Sequence, residues 1–418
     1  MEISYSANFI DYNYLCRLLR IQRMNQKKKK RVAFKLRIAA LLFCLSVSIT
    51  AKPFVENTDS ATSQVTKRSL FKKFSDYLAQ SNKPKPNKKF DFSFLGGPHF
   101  SSDVGLGIGL VASGLYSMDR KDSLLPKSNA SFYGDLTTKG FLLAGLRGNV
   151  FYKKNRYRLD YRLYIYTFQG NFWGIGYDEG KQDGNESKFR RNEFDFMPRF
   201  LFRLTEHSYA GPLLNVKYVK ATSLDAIAKR LLADKEKSVL NLGVGFSYIY
   251  DTRDNVLDAH KGMYAKVDQL FSPTFLGNKK FNGSTDLSLS GYQKIWKGGV
   301  LAGELHSQLT YGTVPWTMLA SVGSSNRMRG YYEGRYRDKN ILEGQIELRQ
   351  HIWKRHGAVV WVGAANVFPS FSDARLKKTL SNYGIGYRWC FKEHVNIRLD
   401  YGITPNGPGF LFNINEAF

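Results

Sequence analysis

Apolar and polar side chains alternate along most of the chain after residue 90, and this alternation constrains the fold more than any other feature. A repeat of two residues is the signature of β-strands whose two faces meet different surroundings. In several segments the polar face is charged, as with Arg158, Asp160 and Arg162. Because unpaired charges are costly in a packed core, the pattern predicts one face toward lipid and one toward an aqueous interior. A large soluble sandwich with one wet face is the alternative.

The number of alternating segments predicts an all-β fold, a sixteen-stranded antiparallel transmembrane β-barrel over residues 91–418. This length suits sixteen strands of about 9–11 residues with their turns, and single-chain bacterial barrels have an even strand number. No apolar run of about eighteen residues follows residue 51, which argues against a helical membrane protein. The strands are predicted to begin near Asp91, Gly105, Ala130, Phe141, Tyr157, Phe189, Tyr209, Val239, Met263, Ser284, Val300, Ile341, Ala358, Thr379, Val395 and Gly409.

Short and long connections alternate between the predicted strands. Outer-membrane barrels have short periplasmic turns and longer outer loops, so this asymmetry supports the barrel. Segment 117–129 departs from the pattern, because it is long where a short turn is expected. On this count, segment 313–340 is the sixth outer loop.

The sixth outer loop contains the stretch SSNRMRGYYEGRYRDKN over residues 324–340. It shows no hydrophobic face at helical or strand spacing, and Gly330 and Gly334 can act as hinges, which indicates a long loop. Arginines and tyrosines dominate this stretch, so the loop needs an acidic surface to pack against. The polar face of the following strand offers one. A phosphate-binding surface loop is the alternative.

The run Met328-Arg329-Gly330-Tyr331, followed by Gly334-Arg335-Tyr336-Arg337-Asp338, resembles the sixth-loop signature of the BamA/TamA-like outer-membrane superfamily, the bacterial surface antigen proteins. The resemblance implies that this loop folds back into the barrel lumen. It also implies that a loop arginine pairs with acidic residues on the inner wall.

We therefore expect Arg329 to pair with Glu347, since guanidinium and carboxylate groups pair bidentately in shielded sites. In proteins that this chain resembles, a second acid lies one strand further on. This chain has Gly363 at that position, so anchoring is either weaker or supplied by Asp400.

Two further segments resemble the same superfamily. Asp251, Arg253 and Asp254 match its periplasmic turn between strands eight and nine. We interpret them as structural, because Asp and Asn side chains satisfy turn backbones. Phe418 ends the apolar face of the last predicted strand and is similar to the signal that the barrel-assembly machinery binds by β-augmentation. Deleting Phe418 is expected to leave the chain in the periplasm.

The amino terminus predicts export. A basic stretch at 27–31, an apolar run at 38–49 and a small residue at Ala51 form a signal peptide within a presequence of residues 1–51. Met24 is an alternative start, and an uncleaved anchor helix is the competing interpretation. Residues 52–90 are predicted to be a polar periplasmic linker, too short for one of the POTRA domains of the assembly factors that the chain resembles.

The net charge of +27 favours anionic partners, either lipid or nucleic acid. The aromatic, glycine-rich alternating sequence favours outer-membrane lipid, with no nucleic-acid partner unless the chain is not exported. No catalytic, metal or cofactor motif is evident, so we expect no enzyme and no cofactor. The resemblance implies assembly, insertion or translocation of a protein or lipid client at the outer membrane, with a plugged passive channel or a structural surface antigen as alternatives.

Overall fold

The computed structural model describes residues 90–101, 105–118, 125, 128–392, 394–414 and 416–418. The predicted presequence (1–51) and residues 52–89 of the predicted linker lie outside the described residues. Within the described part, no helix is long and apolar enough to cross a membrane.

The described elements are mainly strands. The barrel strands are β1 (Phe90–Ser101), β2 (Gly105–Tyr116), β3 (Ser128–Thr137), β4 (Leu142–Tyr152), β5 (Tyr157–Phe172), β6 (Ser187–Arg203), β7 (Ser208–Thr222), β8 (Ser238–Asp251), β9 (Gly262–Ser272), β10 (Asn282–Trp296), β11 (Gly299–Gly312), β14 (Asn340–Trp353), β15 (His356–Phe368), β16 (Leu380–Lys392), β17 (Val395–Thr404) and β18 (Gly407–Ile414). The connections contain the short strands β12 (Ala320–Ser321) and β13 (Arg337–Asp338), the helices α1 (Tyr177–Lys181) and α2 (Ala226–Leu231), and 3-10 turns at Asp183–Asn185, Thr274–Leu276, Trp316–Met318, Phe371–Asp373 and Leu376–Lys378.

Sixteen strands form a closed antiparallel barrel in which each strand pairs with its neighbours along the chain. The predicted all-β antiparallel barrel is therefore confirmed. Each of the sixteen barrel strands begins within two residues of its predicted start. A period-two pattern locates strands well here because each strand separates lipid from a polar interior along its whole length.

The ring closes between β1 and β18, and we call this junction the seam. Among the described residues, one pair, Ser101 with Leu411, spans the seam. Each of the other junctions in the ring has at least eight residue pairs. Over the described residues, the seam is therefore paired along a shorter stretch than any other junction.

The two faces of the sheet differ as the alternation predicts. On β14, Leu342 and Ile346 point outward and are about half exposed, whereas Glu343, Gln345 and Glu347 are buried inside. Apolar outer surface beside a polar interior is the arrangement of a transmembrane barrel. The charged faces seen in the sequence thus line the lumen.

The barrel has two unlike ends. We call the end with the short connections, among them 153–156, 204–207 and 297–298, the turn end. The opposite end, which carries 173–186, 223–237 and 313–339, is the loop end. Helix α2 lies in a loop-end connection, and its N-cap Asp225 accepts a hydrogen bond from the backbone N–H of Ala228 at 2.8 Å.

The stretch 324–340 was predicted to be a long loop, and within it Arg337–Asp338 forms the two-residue strand β13 and pairs with Ala320–Ser321. One local prediction was wrong. Phe418 was expected on the apolar face of the last strand, but β18 ends at Ile414 and Phe418 lies beyond it. In the sequence, apolar and polar residues continue to alternate beyond Ile414, where the pairing of β18 with β17 stops.

Candidate functional site

The sixth loop, residues 313–339, connects β11 to β14 and packs on the lumen wall. Its apolar residues Met328, Tyr331 and Tyr336 are buried. They form one cluster with β12, residue 322 and wall residues of β14, β15 and β16. The hydroxyl of Tyr331 donates to the backbone oxygen of Ser381 at 2.9 Å. The loop therefore has its own apolar contact with the barrel, apart from its charges.

Arg329 is the central side chain of the loop, and no part of it is exposed. Its Nη2 lies 2.5 Å from Oε2 of Glu347 on β14, and its Nη1 lies 2.8 Å from Oδ2 of Asp400 on β17. Its guanidinium carbon lies 3.7 Å from the ring centroid of Trp361 on β15. The backbone oxygen of Arg329 accepts from the side chain of Asn382 on β16 at 2.9 Å. One loop residue thus contacts four consecutive wall strands.

Asp400 occupies the role that the sequence left open. Gly363 faces the site without a side chain, and Asp400, two strands further along, supplies the second carboxylate. The planar guanidinium can bond two acids on different strands at once, which an ammonium group cannot do with the same geometry. Trp361 and Asn382 were not expected from the sequence, because stacking and amide contacts leave no spacing signal.

Each acid that binds Arg329 also binds an arginine of the wall. Glu347 Oε1 accepts from Nε of Arg349 at 2.7 Å, and Asp400 Oδ1 accepts from Nη1 of Arg388 at 2.6 Å. Arg388 also donates to Glu416 at 2.8 Å. We call these groups, together with Arg398, the lumen network; its members are Arg329, Glu347, Arg349, Arg388, Arg398, Asp400 and Glu416. The network has four cations and three anions, so the wall holds ion pairs even without the loop.

The loop tip lies directly on the backbone of the last two strands. Gly330 has a φ of 106°, in the left-handed region that favours glycine. A Cβ on Gly402 of β17 would lie 2.3 Å from the Arg329 oxygen, and one on Gly409 of β18 would lie 2.8 Å from the Gly330 Cα. Glycine is therefore required on both sides of this contact. The contact places the loop tip on β17 and on β18, and β18 is one of the two strands of the seam.

Other motif residues organise the loop itself. Arg337 donates from Nε and Nη2 to the backbone oxygen of Gly334 at 3.0 and 2.9 Å. Burial lowers the pKa of Arg337 to about 10. Arg335 bonds Asp183 of the loop end at 2.7 Å, and the Tyr336 hydroxyl bonds Asn406 at 3.0 Å. Asp338 accepts from the backbone N–H of Lys339 at 2.8 Å, and burial raises the pKa of its carboxyl group. These four side chains do not contact Glu347 or Asp400.

The C-terminal tail, residues 416–418, turns into the lumen at the turn end. Phe418 packs with Ala259, Tyr292 and Ala302, and its backbone oxygen accepts from Nη2 of Arg349 at 3.0 Å. The guanidinium of Arg349 lies 5.2 Å from the centroid of the Phe418 ring. The tail is therefore connected to the Arg329 site through Arg349.

Side chains of the β8–β9 turn bond to the backbone of the same turn. Asp251 and Arg253 form an ion pair at 2.7 Å. Oδ1 of Asp254 accepts from the backbone N–H groups of Asn255, His260 and Lys261 at 3.0, 2.9 and 3.2 Å. The structure does not bring these residues to the Arg329 site.

The site holds a loop in place through ion pairs, because each carboxylate that binds Arg329 also binds an arginine of the wall. Among the described residues, no group of three or more His, Cys, Asp or Glu side chains could hold a metal ion.

Comparison with known proteins agrees with this architecture. Residues 144–418 match the Omp85 superfamily domain. No curated protein matches the chain significantly. The structure is similar to that of BamA from Haemophilus ducreyi lacking POTRA domains 1-3, with a TM-score of 0.55 and 13% identity, over 79% of this chain and 71% of that one.

Two structures of CdiB are also similar. The protein from Acinetobacter baumannii gives a TM-score of 0.51 at 11% identity, over 79% of this chain and 60% of that chain. The protein from Escherichia coli gives 0.52 at 11% identity, over 79% of this chain and 64% of that chain. This chain thus spans less than two thirds of either CdiB. The chain belongs to the Omp85 superfamily and is a BamA-like β-barrel protein of the bacterial outer membrane.

Proposed function

We propose that this protein inserts or translocates a protein or lipid client at the outer membrane by opening its seam, without enzymatic chemistry. The observation that carries the proposal is the short pairing of β1 with β18, which the described residues make through Ser101 and Leu411. Strands that are paired over a short stretch can separate and offer backbone N–H and C=O groups to an incoming strand. Every other barrel junction has at least eight residue pairs and is harder to separate.

The position of the sixth loop supports the same function. Its tip packs on β17 and β18 at Gly402 and Gly409. Arg329 bonds Asp400 on β17 and therefore fixes the penultimate strand. The loop thus stabilises the wall next to the seam without bridging the seam.

The test is a disulfide that locks the seam. Ser101→Cys with Leu411→Cys places two cysteines at the paired positions of β1 and β18. The protein is reconstituted in liposomes, and a urea-unfolded eight-stranded outer-membrane barrel is added as client. We expect the wild type to accelerate client folding, the oxidised variant to lose the acceleration, and a reductant to restore it.

A matched control has a disulfide at a junction that need not open. Leu146→Cys with Leu163→Cys joins register partners of β4 and β5. This variant should stay active when oxidised. Equal client folding with the seam locked and unlocked would rule out insertion through the seam.

A passive channel plugged by the sixth loop is the second candidate, and the charged lumen favours it. Single-channel recordings in planar bilayers distinguish the two. Large stable conductance in the wild type supports a channel, whereas a closed wild type that conducts only after the loop is removed supports insertion. A structural surface antigen would show neither client folding nor conductance. The partners implied by the proposal are outer-membrane lipid, the barrel-assembly machinery during biogenesis, and the client.

A further inference from the structure

A groove opens at the turn end between the β4–β5 and β6–β7 connections, separate from the lumen network. It has a volume of about 560 Å³. Lys154, Arg156 and Arg203 line it together with a single acid, Glu206. We call it the turn-end groove. Its charged lining has an excess of two positive charges, so an anion is the ligand it would favour.

Unusual backbone geometry places one of these cations, Lys154. Lys153, Lys154 and Asn155 have φ values of 43°, 56° and 61°, all in the left-handed region. Each such residue costs on the order of 1 kcal/mol relative to ordinary conformations, because its Cβ crowds the carbonyl oxygen. The Arg203 backbone N–H donates to the Arg156 oxygen at 2.9 Å, which joins the β4–β5 connection to the end of β6. Strain held in place by neighbouring structure is typical of functional positions.

In the described part of the chain, no carboxylate forms an ion pair with Lys154, Arg156 or Arg203. Arg203 bonds the backbone oxygen of Thr205 through Nε at 3.1 Å. The three side chains are exposed and line the same groove, and guanidinium groups bind phosphate bidentately.

The other side of the groove is aromatic and faces lipid. Phe202 and Tyr157 line the groove, and Phe200 lies beside Phe202 with ring centroids 5.2 Å apart. Phe200 and Phe202 are on the outward face of β6 and are 38% and 43% exposed. Tyr157 on β5 packs on both, with ring centroids 6.0 and 5.7 Å apart. Leu204 extends the apolar surface into the connection. Aromatic side chains at this level mark the membrane–water interface of a barrel.

We propose that the turn-end groove binds the headgroup of an anionic glycerophospholipid. Lys154, Arg156 and Arg203 contact the phosphate, and the rings of Phe200 and Phe202 lie against the glycerol and the first acyl carbons. Cations beside an interfacial aromatic surface fit an amphiphile better than a fully hydrated anion, because the rings give an apolar contact that free phosphate cannot use.

The test is native mass spectrometry of the detergent-purified full chain with dioleoyl phosphatidylglycerol or dioleoyl phosphatidylcholine. We expect the wild type to retain phosphatidylglycerol preferentially. The variant K154Q/R156Q/R203Q should lose about tenfold or more in affinity for phosphatidylglycerol and keep its weak binding of phosphatidylcholine. Phe200→Ala with Phe202→Ala should weaken binding of phosphatidylglycerol but not of inorganic phosphate.

The control K229Q/K280Q/K377Q removes the same charge from three exposed lysines at the loop end. It should bind phosphatidylglycerol like the wild type, and gel migration before and after heating verifies that every variant is folded. Equal lipid binding by wild type and K154Q/R156Q/R203Q would overturn the proposal, as would an equal loss in the control. Competition by inorganic phosphate without any effect of the two Phe substitutions would assign the groove to free phosphate instead.

Discussion

At the scale of single residues, Arg329 differs from the other arginines of the sixth loop because both of its acidic partners are fully buried. Arg335 pairs with Asp183, whose side chain is 85% exposed. A buried pair is costly to break because it leaves an uncompensated charge, whereas an exposed pair contributes little. Arg329 is therefore the residue on which loop docking depends most.

We predict that Arg329→Ala releases the sixth loop but preserves the barrel. The loss is about 3–5 kcal/mol of docking free energy. Glu347 and Asp400 keep Arg349 and Arg388 as partners, so the wall remains paired. Limited proteolysis should cut the loop of the variant, while gel migration before and after heating still shows a folded barrel. Arg329→Lys should behave similarly, since one ammonium cannot replace both guanidinium contacts.

Asp183→Asn is the matched control for Arg329→Ala, because it weakens a loop ion pair that contributes under about 1 kcal/mol. Its loop should resist protease as the wild type does. A protease-resistant loop in Arg329→Ala would show that the apolar cluster around Met328 and Tyr331 is sufficient for docking.

Asp254 gives a prediction for pH. Burial alone would raise the pKa of its carboxyl group, but the backbone N–H donors of His260 and Lys261 outweigh burial and hold the pKa below the ordinary value of 3.8. A depressed pKa stabilises the folded turn above the unfolded-state pKa, and this contribution is lost as pH falls through the folded-state value.

Hydrogen exchange, corrected for intrinsic rates, should therefore show constant protection of the His260 and Lys261 amides from neutral pH down to about 4. Protection should fall at lower pH. Asp254→Ala should lose this protection at every pH, and Asp234→Ala, at an exposed acid of the loop end, should not. Pronounced loss of protection between pH 7 and 5 in the wild type would assign the effect to another group.

Some of the Arg329 site can be predicted from the sequence. Arg329 and Glu347 come from a motif and an alternating strand, and Asp400 is one of the few acids that alternation places on the inner wall. Alternation also places Arg388 and Arg398 on the inner wall, but nothing in the sequence shows which carboxylate each arginine pairs with. Those pairings depend on the closure of the ring, which brings β14 and β17 to the same loop tip.

At the scale of elements, the strands were predictable because the two faces of each strand meet different surroundings. The C-terminal tail was not predictable in this way. Phe418 follows Phe410 and Phe412 at the same parity, so alternation extends the last strand through it. An aromatic ring suits both lipid and an apolar patch inside the lumen. The sequence pattern alone does not distinguish these two places.

We predict that Phe418 stabilises the folded barrel directly, through its contacts with Tyr292 and Arg349. Phe418→Ala is refolded from urea into detergent micelles, where no assembly machinery is present. Its heat-induced gel transition should occur at a lower temperature than that of the wild type. Phe275→Ala, at a loop-end residue that is 83% exposed, serves as control and should not change the transition.

Equal transition temperatures for Phe418→Ala and the wild type would restrict Phe418 to a role in assembly. Reduced outer-membrane levels of the Phe418 deletion in cells, together with equal stability in micelles, would indicate an assembly signal alone. Both effects together would indicate that the residue acts first in assembly and then in the folded state.

At the scale of the whole molecule, one barrel has three different regions of polar contact. The lumen network fixes the loop to β14 and β17, the seam joins β1 to β18 through one pair of described residues, and the turn-end groove lies on the outer surface. The arrangement combines a rigid wall with one weak junction beside the docked loop tip. Strand order and strand number follow from the sequence, but the weakness of the seam does not, because it depends on how two distant segments meet.

The proposed function requires that the barrel is embedded in lipid and that its lumen holds the sixth loop. Gel migration of the outer-membrane fraction with and without heating tests it most directly. We predict that the unheated chain migrates differently from the heated one, and that it requires detergent to stay folded. A mature chain that is monomeric and folded in plain buffer, with the same migration before and after heating, would contradict the account.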